Sequence, residues 1–275
     1  MIPVLLKIGP IKIYSYGFML VVAFFVDYFL LRNELKRRNL DPNFAGDVVM
    51  WAAIGGIVGS KIYYMLENYK DFIEDPLGMI FSGAGLVFLG GLIGGMLAVT
   101  LLIRRKGYTW LMFADVVAPL LILGYAIGRI GCFLVGDDYG IPTHLPWGLS
   151  FPNGIPPTTY ESFHALFPWI NLAGFEPGIL KVHPTQLYET TMGIMIFTFL
   201  WKMRTKYKRI GGLFFIYLIL AGTERFFIEI IRTNEPYLFG LTGAQVFSLM
   251  MIGIGTFFLF RFRKGANEQD SPPIL

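Results

Sequence analysis

The sequence predicts an all-α integral membrane protein with seven transmembrane helices, and three observations carry that prediction. Of 275 residues, 55% are hydrophobic and only 15% are charged. Soluble domains hold about 25% charged residues, so this chain has too few to solvate a surface of its size. Mean hydropathy is +0.57. The 32 glycines and 26 phenylalanines suit helices that pack closely and rings that fill or anchor in lipid. A soluble enzyme, a disordered chain and a fibrous repeat are excluded together. A single cysteine, Cys132, excludes a disulfide scaffold.

Seven segments approach the ~20 apolar residues that a helix needs to cross a hydrocarbon core. They are residues 13–31, 48–64, 86–103, 111–135, 187–201, 213–231 and 246–260. The second, fifth and seventh are short as purely apolar runs and must extend into their flanks or tilt. The first is a retained span rather than a cleaved leader. It is too long for a signal-peptide core, lacks an A-x-A site, and ends in a basic cluster.

The basic residues sort by side. Arg32, Lys36, Arg37 and Arg38 follow the first segment, and Arg104, Arg105 and Lys106 follow the third. Lys202, Arg204, Lys206, Lys208 and Arg209 follow the fifth, and Arg261, Arg263 and Lys264 follow the seventh. The opposite side holds only Lys7, Lys12, Lys70, Lys181 and Arg232. The positive-inside rule then puts the N-terminus outside and the C-terminus in the cytoplasm. A pI near 9.0 is therefore a topology signal, and no nucleic-acid partner is implied.

Residues 136–183 form the long connection between the fourth and fifth helices. Repeated prolines and the aromatics Trp147 and Trp169 make it too apolar for disorder, so an ordered cap on the outer face is expected. The chain thus reads as one polytopic membrane domain, 1–264, with 136–183 inserted as a small outer head. Residues 265–275 form a polar cytoplasmic tail.

An ionisable side chain at membrane depth needs a partner or a role. The set is Asp27, Lys61, Asp115, Arg129, Asp137, Asp138, Glu189, Glu224, Arg225 and Glu229. Two clusters stand out. GRIGCFLVGDDYG (128–140) closes the fourth span, with Arg129 and Asp137 bracketing a glycine-rich turn. GTERFFIEIIR (222–232) ends the sixth, with Arg225 and Glu229 at i and i+4 on one face. Glu189 opens the fifth helix within HPTQLYE. A self-contained Arg225–Glu229 pair, or an Arg129 that snorkels to the headgroups, is the bland reading. Two buried guanidiniums together point further, to a phosphate, whose oxygens match the planar fork of arginine.

Other motifs carry less. GGIVGSK (55–61) has the wrong spacing for a phosphate loop, and the glycines at 83–95 lack the strand–helix setting of a dinucleotide site. Cys132 reads as a small packed residue, and His144 and His164 as loop residues. Three histidines and one cysteine show no metal-ligand spacing, so neither metal nor organic cofactor is expected. The last span has no lysine for a retinal Schiff base.

GRIGCFLVGDDYG, HPTQLYE and RFFIEIIR, in that order, closely resemble the pattern of the bacterial prolipoprotein diacylglyceryl transferases. SYGFML (15–20), DPL (75–77) and GLVFLGGLIGG (85–95) fall where that family has similar segments, so the resemblance runs from about residue 8 to 263. It implies seven spans with a periplasmic head between the fourth and fifth, in the bacterial inner membrane, with the site facing outward. The implied activity moves the diacylglyceryl group of phosphatidylglycerol to the lipobox cysteine of a prolipoprotein signal peptide and releases glycerol phosphate. The partners would be phosphatidylglycerol, that signal peptide and membrane lipids.

By the same resemblance, Arg129 and Arg225 would hold the phosphate, and Tyr16 and Gln186 would orient lipid oxygens. Asp137 and Glu229 would position the arginines, and Gly140 would let backbone approach the headgroup. Two positions depart from the family pattern. Leu89 replaces the histidine of an F-H-G-G-L segment, and Cys132 replaces the asparagine of GRIG-N-F. Either His183, Glu229 or Asp137 assists the acceptor thiol, or the arginine field suffices. A non-catalytic phospholipid-binding or translocating protein is the alternative that Leu89 and Cys132 motivate.

Overall fold

The computed structural model describes residues 1–9, 11–81, 87–207, 209–237 and 239–269. Two short strands come first, β1 (Val4–Ile8) and β2 (Ile11–Tyr14), paired antiparallel. Ten helices follow among the described residues: α1 (Ser15–Arg37), α2 (Phe44–Glu67), α3 (Tyr69–Glu74), α4 (Pro76–Phe81), α5 (Phe88–Arg105), α6 (Trp110–Val135), α7 (Tyr160–Leu166), α8 (Thr185–Met203), α9 (Gly212–Glu229) and α10 (Gly243–Gln269). The long helices lie over the apolar segments of the sequence. Among the described residues, four stretches, Ser15–Arg37, Phe44–Glu67, Trp110–Val135 and Gly243–Arg261, are long and apolar enough to cross a membrane. Large apolar side chains point outward along them, among them Val21, Phe25, Ile57 and Phe257. Water would penalise that surface and lipid does not, so the architecture is that of an integral membrane protein.

The N-terminal hairpin corrects the expected start of the first helix, because residues 13 and 14 belong to β2. Its strands are too short and apolar to separate by period from the helix behind them. The C-terminus differs in the other direction. The backbone stays helical to Gln269, past Gly265 and through residues expected to begin the tail. Residues 270–275 of that tail lie outside the described set, as do Lys208 and the 83–86 part of the glycine-rich motif.

Chain contacts divide the protein into two compact units. One is Asp27–Val116. Here α2 and α5 touch backbone to backbone: a Cβ at Gly55 would stand 2.6 Å from the Gly94 carbonyl oxygen, and one at Gly59 would be 2.7 Å from Gly94 Cα. Ser60 donates to the Val87 carbonyl at 2.9 Å. Phe44, Tyr108 and Phe113 form a ring cluster. Asn39 ends α1 in the left-handed conformation, with Leu40 N–H donating to Leu35 O at 2.9 Å, a Schellman closure.

The other unit is Met1–Val26 with Val117–Leu275. Within it α6 meets α8 where a Cβ at Gly193 would lie 2.9 Å from Ala126 Cβ. Phe215 of α9 stacks on Phe258 of α10. Ile122, Leu200, Leu213 and Ala221 fill the interior. Residues 136–184 are folded around buried Tyr139, Phe151, Phe163, Leu172, Leu180 and Val182. Tyr139 stacks on Phe151 and donates its hydroxyl to the Pro156 carbonyl at 2.7 Å.

Candidate active site

Helix α6 ends as its sequence demands. Gly136 takes φ +79°, and the N–H groups of Gly136 and Asp137 both donate to the Cys132 carbonyl, at 2.8 and 3.2 Å. Glycine adopts that conformation without strain. Asp138 follows at φ +58°, a region that Asp tolerates better than most residues. The turn is then fastened to α8: Gln186 Nε2 donates to Asp137 O at 2.6 Å, and Thr185 Oγ1 to Asp138 O at 2.8 Å.

Gly140 is the junction of three segments. Its N–H donates to His183 O at 2.9 Å, and Ile141 N–H donates to Ile231 O at 2.9 Å. A Cβ at Gly140 would strike the Ile231 carbonyl oxygen and sit 2.8 Å from Thr185 Cγ2. A side chain at this position would collide with protein atoms on two sides. The junction carries Arg232 inward, just past the end of α9.

At the centre lies Glu189, fully buried at 0% exposure. Arg129 Nε is 3.3 Å from its Oε2, and Arg225 Nη1 is 2.9 Å and Arg232 Nη1 3.5 Å from its Oε1. Tyr125 donates its hydroxyl to Oε1 at 2.8 Å while its ring lies under the Arg129 guanidinium, 5.0 Å away. Glu229 holds the other flank. It pairs with Arg225 at 2.9 Å and accepts from Asn234 at 2.5 Å and Thr242 at 2.8 Å. Asp138 closes the ring, with Oδ2 2.6 Å from Arg129 Nη1 and Oδ1 2.6 Å from Arg232 Nη2.

Three guanidiniums facing three carboxylates form a cage of close ion pairs. Glu189 and Glu229 are fully buried, whereas the Asp138 side chain is 44% exposed. The pull of Arg232 and Arg129 outweighs its burial and holds the Asp138 carboxyl down at about 2. Asp137 behaves in the opposite way. Burial, then the like charge of Asp138, pushes its carboxyl up to about 6, and its Oδ1 is buried without a hydrogen-bond partner.

The family model of the prolipoprotein diacylglyceryl transferases matches residues 3–261. The chain belongs to that family. A phosphatidylglycerol–prolipoprotein diacylglyceryl transferase of Clostridium tetani is 32% identical over 265 residues, covering 95% of this chain and 99% of that protein. The protein of the same name in Trichormus variabilis is 36% identical over 92% of this chain and 86% of its own. That of Coxiella burnetii is 34% identical over 94% of each.

Of the residues singled out in this family member's sequence, Arg129, Arg225 and Glu229 come together in one network. The pairing expected of Asp137 is made by its neighbour Asp138. Gln186 is wholly buried, holding the turn with its amide nitrogen while its Oε1 has no partner. Tyr16 is exposed and packs on Gly131, whose Cβ would lie 3.2 Å from the tyrosine Cα. The His183 ring faces Tyr188, with Nδ1 3.4 Å from its hydroxyl, and burial lowers its basicity.

Sequence reasoning left Glu189 and Asp138 without a site role and set Arg232 aside as a loop charge. Arg225, Glu229 and Arg232 recur at i, i+4 and i+7 in the sequence, but α9 ends at Glu229, so helical periodicity does not by itself carry the pattern to Arg232. Tyr125, Asn234 and Thr242 had no signal in the sequence. Cys132, Asp137 and Asp138 place potential ligand atoms within 4.8 Å of one another. Two guanidiniums at 2.6 Å from the Asp138 oxygens make that corner a place for an anion instead of a cation.

Proposed function

We propose that this protein transfers the diacylglyceryl group of phosphatidylglycerol to the cysteine thiol of a prolipoprotein, with release of glycerol phosphate. The observation that carries this reading is the convergence of Arg129, Arg225 and Arg232 on Glu189. Membership of the family and the names of the relatives support it. Planar guanidinium forks fixed by buried carboxylates are preorganised for phosphate oxygens.

In the reaction the acceptor sulfur attacks C3 of the diacylglyceryl moiety. A C–S bond forms, the C–O bond to phosphorus breaks, and the phosphate leaves with the electron pair. The arginines stabilise charge that grows on the leaving oxygen. A thiol with a pKa near ~8.5 reacts through its thiolate, so its proton needs an acceptor. Leu89 offers none. Glu229 is occupied by Arg225, Asn234 and Thr242, and His183 is engaged by Tyr188. Asp137 has an oxygen without a partner and a carboxyl at about 6, suited to a base working near neutral pH. We assign it that role.

The same reading includes seven membrane-spanning helices, an outer N-terminus, a cytoplasmic C-terminus and residues 136–183 as a periplasmic head. It places the protein in the bacterial cytoplasmic membrane with the site on the outer side. Sorting of the basic residues supports the orientation. The test is transfer to a lipobox peptide from phosphatidylglycerol, read as added mass on the peptide cysteine. Arg129→Ala and Arg225→Ala should each abolish the adduct; full activity in both would remove the phosphate site. Binding or movement of the lipid without glycerol phosphate release would instead support the non-catalytic alternative.

A further inference from the structure

We propose that the Asp138 carboxylate is an internal stand-in for the substrate phosphate, holding Arg129 and Arg232 until a phosphate takes its place and expelling the product on its return. This deepens the transferase reading and rests on it.

Three observations carry the proposal. First, the Asp138 oxygens occupy the geometry a phosphate would take, each 2.6 Å from a guanidinium supplied by a different segment. Carboxylate and phosphate make the same two-pronged contact with arginine, so the two compete for one place. Second, Asp138 is the movable acid of the cage. Its side chain is 44% exposed, while Glu189 and Glu229 are fully buried. Its backbone is held by Thr185 and that of Asp137 by Gln186, so rotation of one side chain, with no loop movement, clears the arginines.

Third, the charges match. With Asp138 in place, Arg129, Arg225 and Arg232 are offset by Asp138, Glu189 and Glu229. With it turned away, Arg129 and Arg232 each lose a carboxylate partner, and a phosphodiester can supply the missing negative charge. The released phosphomonoester has a second ionisation near pH ~6 and holds the arginines harder than its precursor. A returning carboxylate at the same two guanidiniums offsets that grip and favours release.

A site blocked most of the time by its own side chain binds more weakly by the fraction of time it is open. Removing the Asp138 charge should therefore tighten phosphate binding, an outcome that damage to the site does not produce. The experiment uses the full chain in detergent as wild type, Asp138→Asn, Asp138→Ala and the charge-retaining Asp138→Glu. Binding of glycerol phosphate and of inorganic phosphate is measured by calorimetry, and transfer from phosphatidylglycerol is measured in parallel. We expect Asp138→Asn and Asp138→Ala to bind both anions about tenfold tighter, with glycerol phosphate inhibiting at correspondingly lower concentration and kcat falling as release slows. Asp138→Glu should stay nearer wild type. Unchanged or weaker anion binding in both neutral variants overturns the proposal, whatever the transfer activity. Tighter binding in a chain whose wild type transfers nothing sinks the transferase reading and leaves the competition itself standing.

Discussion

The buried carboxylate of Glu189 meets Arg225 Nη1 at 2.9 Å, and the same oxygen accepts the Tyr125 hydroxyl at 2.8 Å. It is the anion to which Arg129 and Arg232 also turn, so it sets the spacing of all three guanidiniums. Glu189→Gln keeps the volume and leaves those charges facing a neutral amide. Breaking a buried ion pair from one side costs about 3–5 kcal/mol. Denaturation of the variant in detergent should show a loss of that order, with activity gone. A loss under ~1 kcal/mol would mean the cage does not depend on this carboxylate.

Arg232 should matter as much as Arg129. It bridges Asp138 and Glu189, and removal of one preorganised charge stabiliser lowers rate by about 10²–10³. Arg232→Ala is expected in that range for kcat/KM. Arg232→Lys should recover little, because a point ammonium does not span both carboxylates. Wild-type kinetics in either variant would return Arg232 to the role of a loop charge.

Asp137 should show itself through pH. Its carboxyl is raised to about 6 in the fold, so the folded protein holds a proton that the unfolded chain has lost between pH ~4 and 6. This group's contribution therefore turns against the fold as pH rises through that window. Asp137→Asn has no such titration. Its thermal midpoint should match wild type below pH ~4 and exceed it above pH ~6, while transfer is lost. Wild-type transfer should rise through an acid limb near 6. In Asp138→Asn, loss of the neighbouring negative charge should move that limb to lower pH. A limb that stays put, or a midpoint difference that is flat with pH, contradicts the assignment.

The glycine contact between α2 and α5 gives a prediction independent of chemistry. A Cβ at Gly94 would overlap the Gly55 carbonyl and lie 2.7 Å from Gly59 Cα. Gly94→Leu should cost ~3 kcal/mol or more through overpacking, seen as loss of monodisperse protein on size exclusion. A Cβ at Gly128 meets nothing within 4 Å, and Gly128→Ala should be tolerated. Equal behaviour of the two variants would argue against the backbone contact.

Long apolar runs were legible in the sequence, as was the glycine-rich turn between Arg129 and Asp137; the helix stops are read from the structure. Asn39 and Gly136 each end a helix where a left-handed residue is needed. Arg129, Arg225 and Glu229 were legible because charge in an apolar segment demands an explanation. Arg232 was not, since it lies just beyond the helical run that would have flagged it. Nor was the choice between Asp137 and Asp138, which adjoin in sequence. The turn after Gly136 sends one carboxylate to the arginines and leaves the other with one buried oxygen that has no hydrogen-bond partner. The hairpin at residues 4–14 was hidden because its strands are apolar and merge into α1.

By the family resemblance, Leu89 and Cys132 stand where a histidine and an asparagine are expected, and in the proposed mechanism the arginine cage and Asp137 suffice without them. The most direct measurement incubates the unaltered protein with phosphatidylglycerol and a lipobox peptide and quantifies both products. The proposed mechanism requires diacylglyceryl mass on the peptide cysteine and glycerol phosphate in equal amounts. Neither product, under conditions where the Clostridium tetani relative yields both, would contradict it.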